Sequence, residues 1–246
     1  MTNSPAPARQ PLVESRATTD ARVPRVRRLW MLWGILAGLF GFVATILLDV
    51  RPWTEADYEK GGVLAATAAD MANLDPLMNQ LGFLVGFAAV ACLIVFHSLW
   101  RLHVERARPR SGAARVVAAG LLVAASGLTL AYGWKGSLAL YGHGGAEFGS
   151  FDDSGLLIFY ALTDFGAFIP WFGVIVSFAA LGWMAWAERA VSRIAGTLAA
   201  GAALLVVAGY VVTGVPGLAG PVGGLTLALV STWMLIGSRG VAGGER

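Results

Sequence analysis

Lysine, cysteine and histidine are nearly missing from this chain of 246 residues, and charge of either sign is scarce. A single cysteine, Cys92, excludes an intramolecular disulfide and any CxxC redox pair. Of three histidines, only His97 falls inside a long apolar stretch, which excludes haem held by two helical histidines of one chain. There is no HExxH for a zinc protease and no serine in a GxSG context. Charged residues make up 13% of the chain, about half the fraction usual for soluble domains. With 57% hydrophobic residues, the polar ones are too few to coat a water-soluble globule, so the bilayer is the solvent for most of the surface.

What is present is a sorted set of arginines. Six long apolar stretches divide the chain, and counting through them alternately puts 15 of the 18 Lys and Arg on one side. Only Arg51, Lys60 and Lys135 fall on the other. Membrane proteins follow this positive-inside pattern, and soluble ones have no reason to. The expectation is an all-α polytopic transmembrane bundle of six spans, both termini cytoplasmic, in one domain. The spans are placed at 29–48, 76–99, 113–134, 164–187, 194–213 and 220–236, within a membrane domain covering 29–237. A basic tail over 1–28, rich in proline and without apolar periodicity, is expected to be disordered. Residues 238–246 form a second cytoplasmic tail. The tail's length and the apolar run behind it argue against a cleaved signal peptide. Sixteen Arg against two Lys, with abundant Ala, Gly and Val, point to a GC-rich bacterial genome and hence to a bacterial cytoplasmic membrane.

Local signals refine the spans. Asp75 followed by Pro76 reads as a helix N-cap and first helical position. The apolar run 156–187 would make a straight helix of about 48 Å against a core of about 30 Å. Pro170 cannot donate to the Gly166 carbonyl, which predicts a kink or break there, with the preceding turns leaning over the outer surface. Leu64, Thr67, Met71 and Leu74 recur at helical spacing and predict a short outer interfacial helix. The glycine-rich stretch from Lys135 to Gly155 reads as a mobile outer loop. Small residues four apart, as in Gly34/Gly38, Gly82/Gly86 and Gly196/Ala200, predict close helix contacts. Arg115 with Tyr132 and Arg193 with Tyr210 repeat one spacing, as interfacial anchors of two similar helices would.

Asp164 is the sharpest chemical signal, because an ionisable residue within an apolar run is costly and is by default a candidate site. Helix counting puts Asp49, Asn79 and Gln80 at similar depth. With Lys135 as a neighbour, they are candidates to line an outward-facing polar pocket; the alternative is an Asp164 at the outer interface, hydrated or paired with Lys135. His143, Glu147, Asp152 and Asp153 share one outer loop and are weak candidates for a metal; their spacing matches no metal motif, so no metal and no cofactor are assigned. His97 reads as a neutral, hydrogen-bonded interfacial residue. Arg25, Arg27, Arg28, Arg106, Arg108 and Arg110 are candidates to meet anionic lipid headgroups, at about 1 kcal/mol per residue. The basic residues sit in short loops, so no nucleic-acid surface is expected.

The segment FGAFIPWFGVIVSFAALGWMAWAERAVSRIAGTLAAGAALLVVAGYVV joins an apolar span, a short basic turn and an R-x-x-G-x-L stretch ending in tyrosine. It resembles the corresponding region of small six-helix bacterial membrane proteins grouped as a domain of unknown function. The resemblance implies six spans and a plasma-membrane location, and no catalytic residues. The leading functional expectation is a non-enzymatic small-molecule binding or transport-associated bundle. The alternative is a structural or accessory subunit that docks a membrane-protein partner, or a second copy, through its helices and inner loops.

Overall fold

The computed structural model describes residues 28–59 and 64–237, and the described part is helical throughout, with no strand. The expected disordered tail, with Arg25 and Arg27, lies outside the described residues, as do Lys60 and 238–246. Five helical segments are long and apolar enough to cross a membrane, and such helices suggest an integral membrane protein. They are Pro76–Glu105, Gly112–Tyr141, Asp153–Trp186, Arg193–Thr213 and Pro216–Ile236. A sixth apolar helix, Met31–Leu47, is shorter.

Helix α1 (Met31–Phe42) ends in a π-helical turn, Val43–Leu47. A short α2 (Glu55–Glu59) and a 3₁₀ helix, Ala68–Asn73, fill the connection to α3 (Pro76–Trp100). Asp75 caps α3 as its sequence predicts, accepting from the Leu77 and Met78 amides at 2.8 and 3.3 Å. A second π turn, Arg101–Glu105, carries α3 onward before α4 (Gly112–Tyr141) returns. Then come α5 (Asp153–Asp164), α6 (Phe172–Trp186), α7 (Arg193–Thr213) and α8 (Ala219–Ile236). Helix α1 packs between α3 and α8, α4 between α3 and α6, and α7 lies against α6 and α8. The outer side of α7 leaves Leu204, Leu205, Val211 and Val212 exposed, an apolar face suited to lipid.

Glycines set these contacts. A Cβ on Gly38 would lie 2.5 Å from the Gly224 carbonyl oxygen of α8, and one on Gly173 2.4 Å from that of Gly120 on α4. Without a side chain at those points the backbones approach closely, which is how membrane helices gain packing when no hydrophobic drive separates protein from lipid. Trp171, fully buried, fills the centre; its ring occupies the space that a Cβ on Gly41 would need.

Four contacts tie one end of the bundle together. Arg28 donates to the Gly237 carbonyl, Trp233 to Ser192, Ser111 to Glu188, and Trp30 stacks on His103. Eight of the ten described Lys and Arg belong to this arginine-rich end: Arg28, Arg101, Arg106, Arg108, Arg110, Arg115, Arg189 and Arg193. Arg51 and Lys135 sit at the other.

Several boundaries differ from those read in the sequence. Helix α4 runs seven residues beyond Trp134, to Tyr141, so Lys135 is helical and the loop begins only at Gly142. The reason is that Lys135 is held inside the bundle and need not leave the helix to reach water. The run 156–187 does break, into α5 and α6, through turns and a 3₁₀ stretch Ile169–Trp171 that contains Pro170. Residues 165–171 are therefore turns and a 3₁₀ stretch inside the apolar segment Asp153–Trp186. The expected helix over 64–74 is only the 3₁₀ stretch, because Thr67 caps it through a reciprocal bond with Asp70. Its Met71 and Leu74 are buried with Leu138, Leu156 and Tyr160. Tyr132 is buried while Tyr210 is 49% exposed, so the two repeated tyrosines occupy different environments.

Candidate functional site

The first link of the site is a helix end. An α-helix leaves its last carbonyls without intrahelical donors and carries negative partial charge there. Lys135 meets both needs of α1, with Nζ donating to the carbonyls of Ala44 at 2.9 Å and Leu48 at 3.0 Å. The Lys135 side chain is 2% exposed, and its ammonium also lies 3.8 Å from an Asp49 carboxylate oxygen. Gly82 makes this possible, since a Cβ there would stand 3.3 Å from both the Leu48 oxygen and the Lys135 stem.

Asp49 follows directly and faces a second cation. Arg51 donates from Nε to Asp49 at 2.8 Å and, on its other side, from Nη1 to Asp164. Asp164 is the last residue of α5, a position where the helix dipole disfavours a carboxylate. Arg51 compensates it. Two carboxylates and two cations thus alternate from the partly exposed Asp164 to the buried Lys135. Burial pushes the Asp49 carboxyl above its ordinary value, with Lys135 and Arg51 pulling the other way. Burial works against the Arg51 charge too, but Asp49 and Asp164 outweigh it and hold the guanidinium above its ordinary value.

Two aromatic residues border the cluster. The Arg51 guanidinium lies 6.0 Å from the Trp53 ring centre. The buried Tyr160 hydroxyl faces the same guanidinium, outside regular hydrogen-bond geometry. Neither the Tyr160 hydroxyl nor the Trp53 indole nitrogen has a hydrogen-bond partner among the described residues. One turn deeper, Thr45 and Tyr132 share a hydrogen bond of 2.9 Å. The Trp171 indole nitrogen, also unpartnered among the described residues, lies beside that hydroxyl.

Of the candidates read from the sequence, Asp49, Asp164 and Lys135 come together here. Asp164 pairs with Arg51 and not with Lys135. Asn79 is buried one turn above Gly82, and its amide donates to the Asp75 carbonyl at 3.1 Å. Gln80 is exposed and lines a groove of about 590 Å³ between α3 and α4, whose lining includes neither Asp49 nor Asp164. Arg51 is the member that sequence reasoning passed over. It reads there only as one of three cations on the sparse side, and nothing local reveals a partner 113 residues away.

Elsewhere, His143 Nε2 lies 2.8 Å from Asp153, and Asp152 caps α5 through the Gly155 amide. Glu147 does not join them, and no group of three or more potential ligands forms among the described residues. His97 is buried, its Nδ1 bonded to the Ala118 carbonyl at 2.8 Å.

Comparison with protein-family models, curated proteins and solved structures finds no match for this chain. The resemblance of its final third therefore rests on those residues alone.

Proposed function

We propose that this is an integral protein of a bacterial cytoplasmic membrane with six crossings and both termini cytoplasmic. In this reading Met31–Leu47 is the sixth crossing, and the cluster of Asp49, Arg51, Lys135 and Asp164 faces outward. The collection of arginines at one end supports the orientation. The bundle is non-enzymatic and transport-associated, and the cluster binds a small charged molecule.

The observation that carries the binding role is the pair of unpartnered atoms, Tyr160 Oη and Trp53 Nε1, beside Arg51. Buried polar atoms are nearly always hydrogen-bonded, so two such orphans next to a charged cluster mark a place for a ligand. The test is the apparent Tm of the purified protein against a panel of small organic acids and amines. The reading predicts that at least one compound raises the Tm of the wild type but not of Asp164→Asn or Tyr160→Phe. No shift with any compound, together with unchanged growth of a strain carrying Asp164→Asn, ends it.

A second reading has its own support, since each of the four charges already has a protein partner. A self-satisfied network suits a staple within a structural or accessory subunit, whose arginine-rich end docks a partner. Under that reading the cluster variants lower stability, and no compound discriminates among them.

A further inference from the structure

The arginine-rich end holds a second concavity. Its volume is about 600 Å³, and it lies between the end of α3 and the start of α4. Arg101, Arg106, Arg115 and His97 line it, with Glu105 as the one acidic residue. The π turn Arg101–Glu105 builds it by widening the helix where α3 leaves the bundle. That turn is fixed from behind. Trp100 donates to the Ala114 carbonyl at 3.0 Å, and His103 stacks on Trp30 at 5.2 Å.

The donors are unequally used. The Arg106 guanidinium has no hydrogen bond or ion pair among the described residues, its only bond being from the backbone N–H to the Arg101 carbonyl. Arg101 spends Nε on Glu105 at 3.2 Å, and Arg115 spends one terminal nitrogen on the Pro109 carbonyl at 2.6 Å. A guanidinium has five N–H donors, so both keep most of theirs. His97 Nδ1 donates to the Ala118 carbonyl, so in the neutral ring Nε2 is an acceptor and the groove's donors come from the arginines. Three guanidiniums against one carboxylate, with forked donors free, are the chemistry that recognises a phosphate group. We infer that this groove binds a phosphate-bearing anion.

The surface below the groove argues for the source. Along α3 the exposed residues Phe87, Ala91 and Ile94 lead up to Ser98, which lines the groove, and Leu102 lies at its edge. That apolar track suits an acyl chain beneath a phosphodiester headgroup. A free phosphate would use the arginines and leave the track unused.

The test uses the full-length protein in a neutral detergent, titrated with dioctanoyl phosphatidylglycerol, dioctanoyl phosphatidylcholine and inorganic phosphate. Binding is read by the change in tryptophan fluorescence or by thermophoresis. The expected result is saturable binding of the phosphatidylglycerol, weakened roughly tenfold or more in Arg101→Gln/Arg106→Gln. Arg193→Gln, at the same end but outside the groove, should bind as wild type does. All three arginines are exposed, so the variants retain the fold. Inorganic phosphate that binds as tightly and displaces the lipid keeps the site and makes its ligand a free anion. Equal binding by wild type and the groove variant, or an equal loss in Arg193→Gln, overturns the proposal.

Discussion

Lys135 on α4 caps the end of α1 by donating to the Ala44 carbonyl at 2.9 Å, across 91 residues of sequence. A buried ammonium is tolerated there because the helix end supplies acceptors and Asp49 supplies a countercharge. Lys135→Met should remove all three contacts and cost about 3 kcal/mol or more, since Asp49 would be left half-neutralised. The apparent Tm in detergent would drop accordingly, and Asp49→Asn in the same chain should restore part of it. A Tm equal to wild type would show that the cap is idle.

The Arg51–Asp164 pair is about a third exposed on both sides, at 31% and 32%. Solvent screening limits such a pair, so a double-mutant cycle with Arg51→Gln and Asp164→Asn should give a coupling of about 1 kcal/mol or less. Raising salt should shrink it further. A coupling of several kcal/mol would mean that the pair is sealed from water.

Asp49 sets a pH dependence of known sign. Burial raises its carboxyl above the ordinary 3.8, so the folded state holds this proton more tightly than the unfolded chain. Its contribution is fully present below about pH 3.8 and is lost as pH rises through the raised value. Unfolding of wild type and Asp49→Asn compared across mildly acidic pH should therefore diverge in that window, with the variant flatter. Removing Lys135 as well takes away a pull toward the ionised form and should shift the window upward.

Two glycines of the bundle should respond in opposite directions. A Cβ on Gly86 would fall 2.3 Å from the Tyr132 ring, which is buried and bonded to Thr45, so Gly86→Ala should cost about 1–3 kcal/mol. Gly133 on α4 has open space where a Cβ would stand, and Gly133→Ala should gain up to about 1 kcal/mol from helix propensity. Thermal unfolding of both variants checks the packing; equal effects would contradict it.

What the sequence disclosed depended on whether the signal was local or cumulative. Asp75 and Pro76 start α3 where they stand, and Gly214, in the left-handed region at φ 69°, ends α7. The break at Pro170 was equally legible, because a missing N–H acts within one turn. The extent of α4 was not. Lys135 reads as the first polar residue after a span, and only its distant acceptors on α1 explain why the helix continues past it. Asp164 stood out by its apolar surroundings, yet its partner is Arg51, whose role depends on tertiary contact alone. Gln80 lies apart from the cluster for a related reason. Equal depth on a helix says nothing of which face a residue takes, and Gln80 lies about 100° round from the buried Asn79.

The orientation underlies the whole functional account, and side-specific labelling tests it directly. Cys92 is buried, so background reaction with a membrane-impermeant maleimide should be low. Ser150, in the loop beside the cluster end, and Ala107, in the arginine-rich turn after α3, are both exposed. Ser150→Cys should label in intact cells, and Ala107→Cys only after the membrane is permeabilised. Labelling of Ala107→Cys from outside, or of both positions from the same side, would contradict the account.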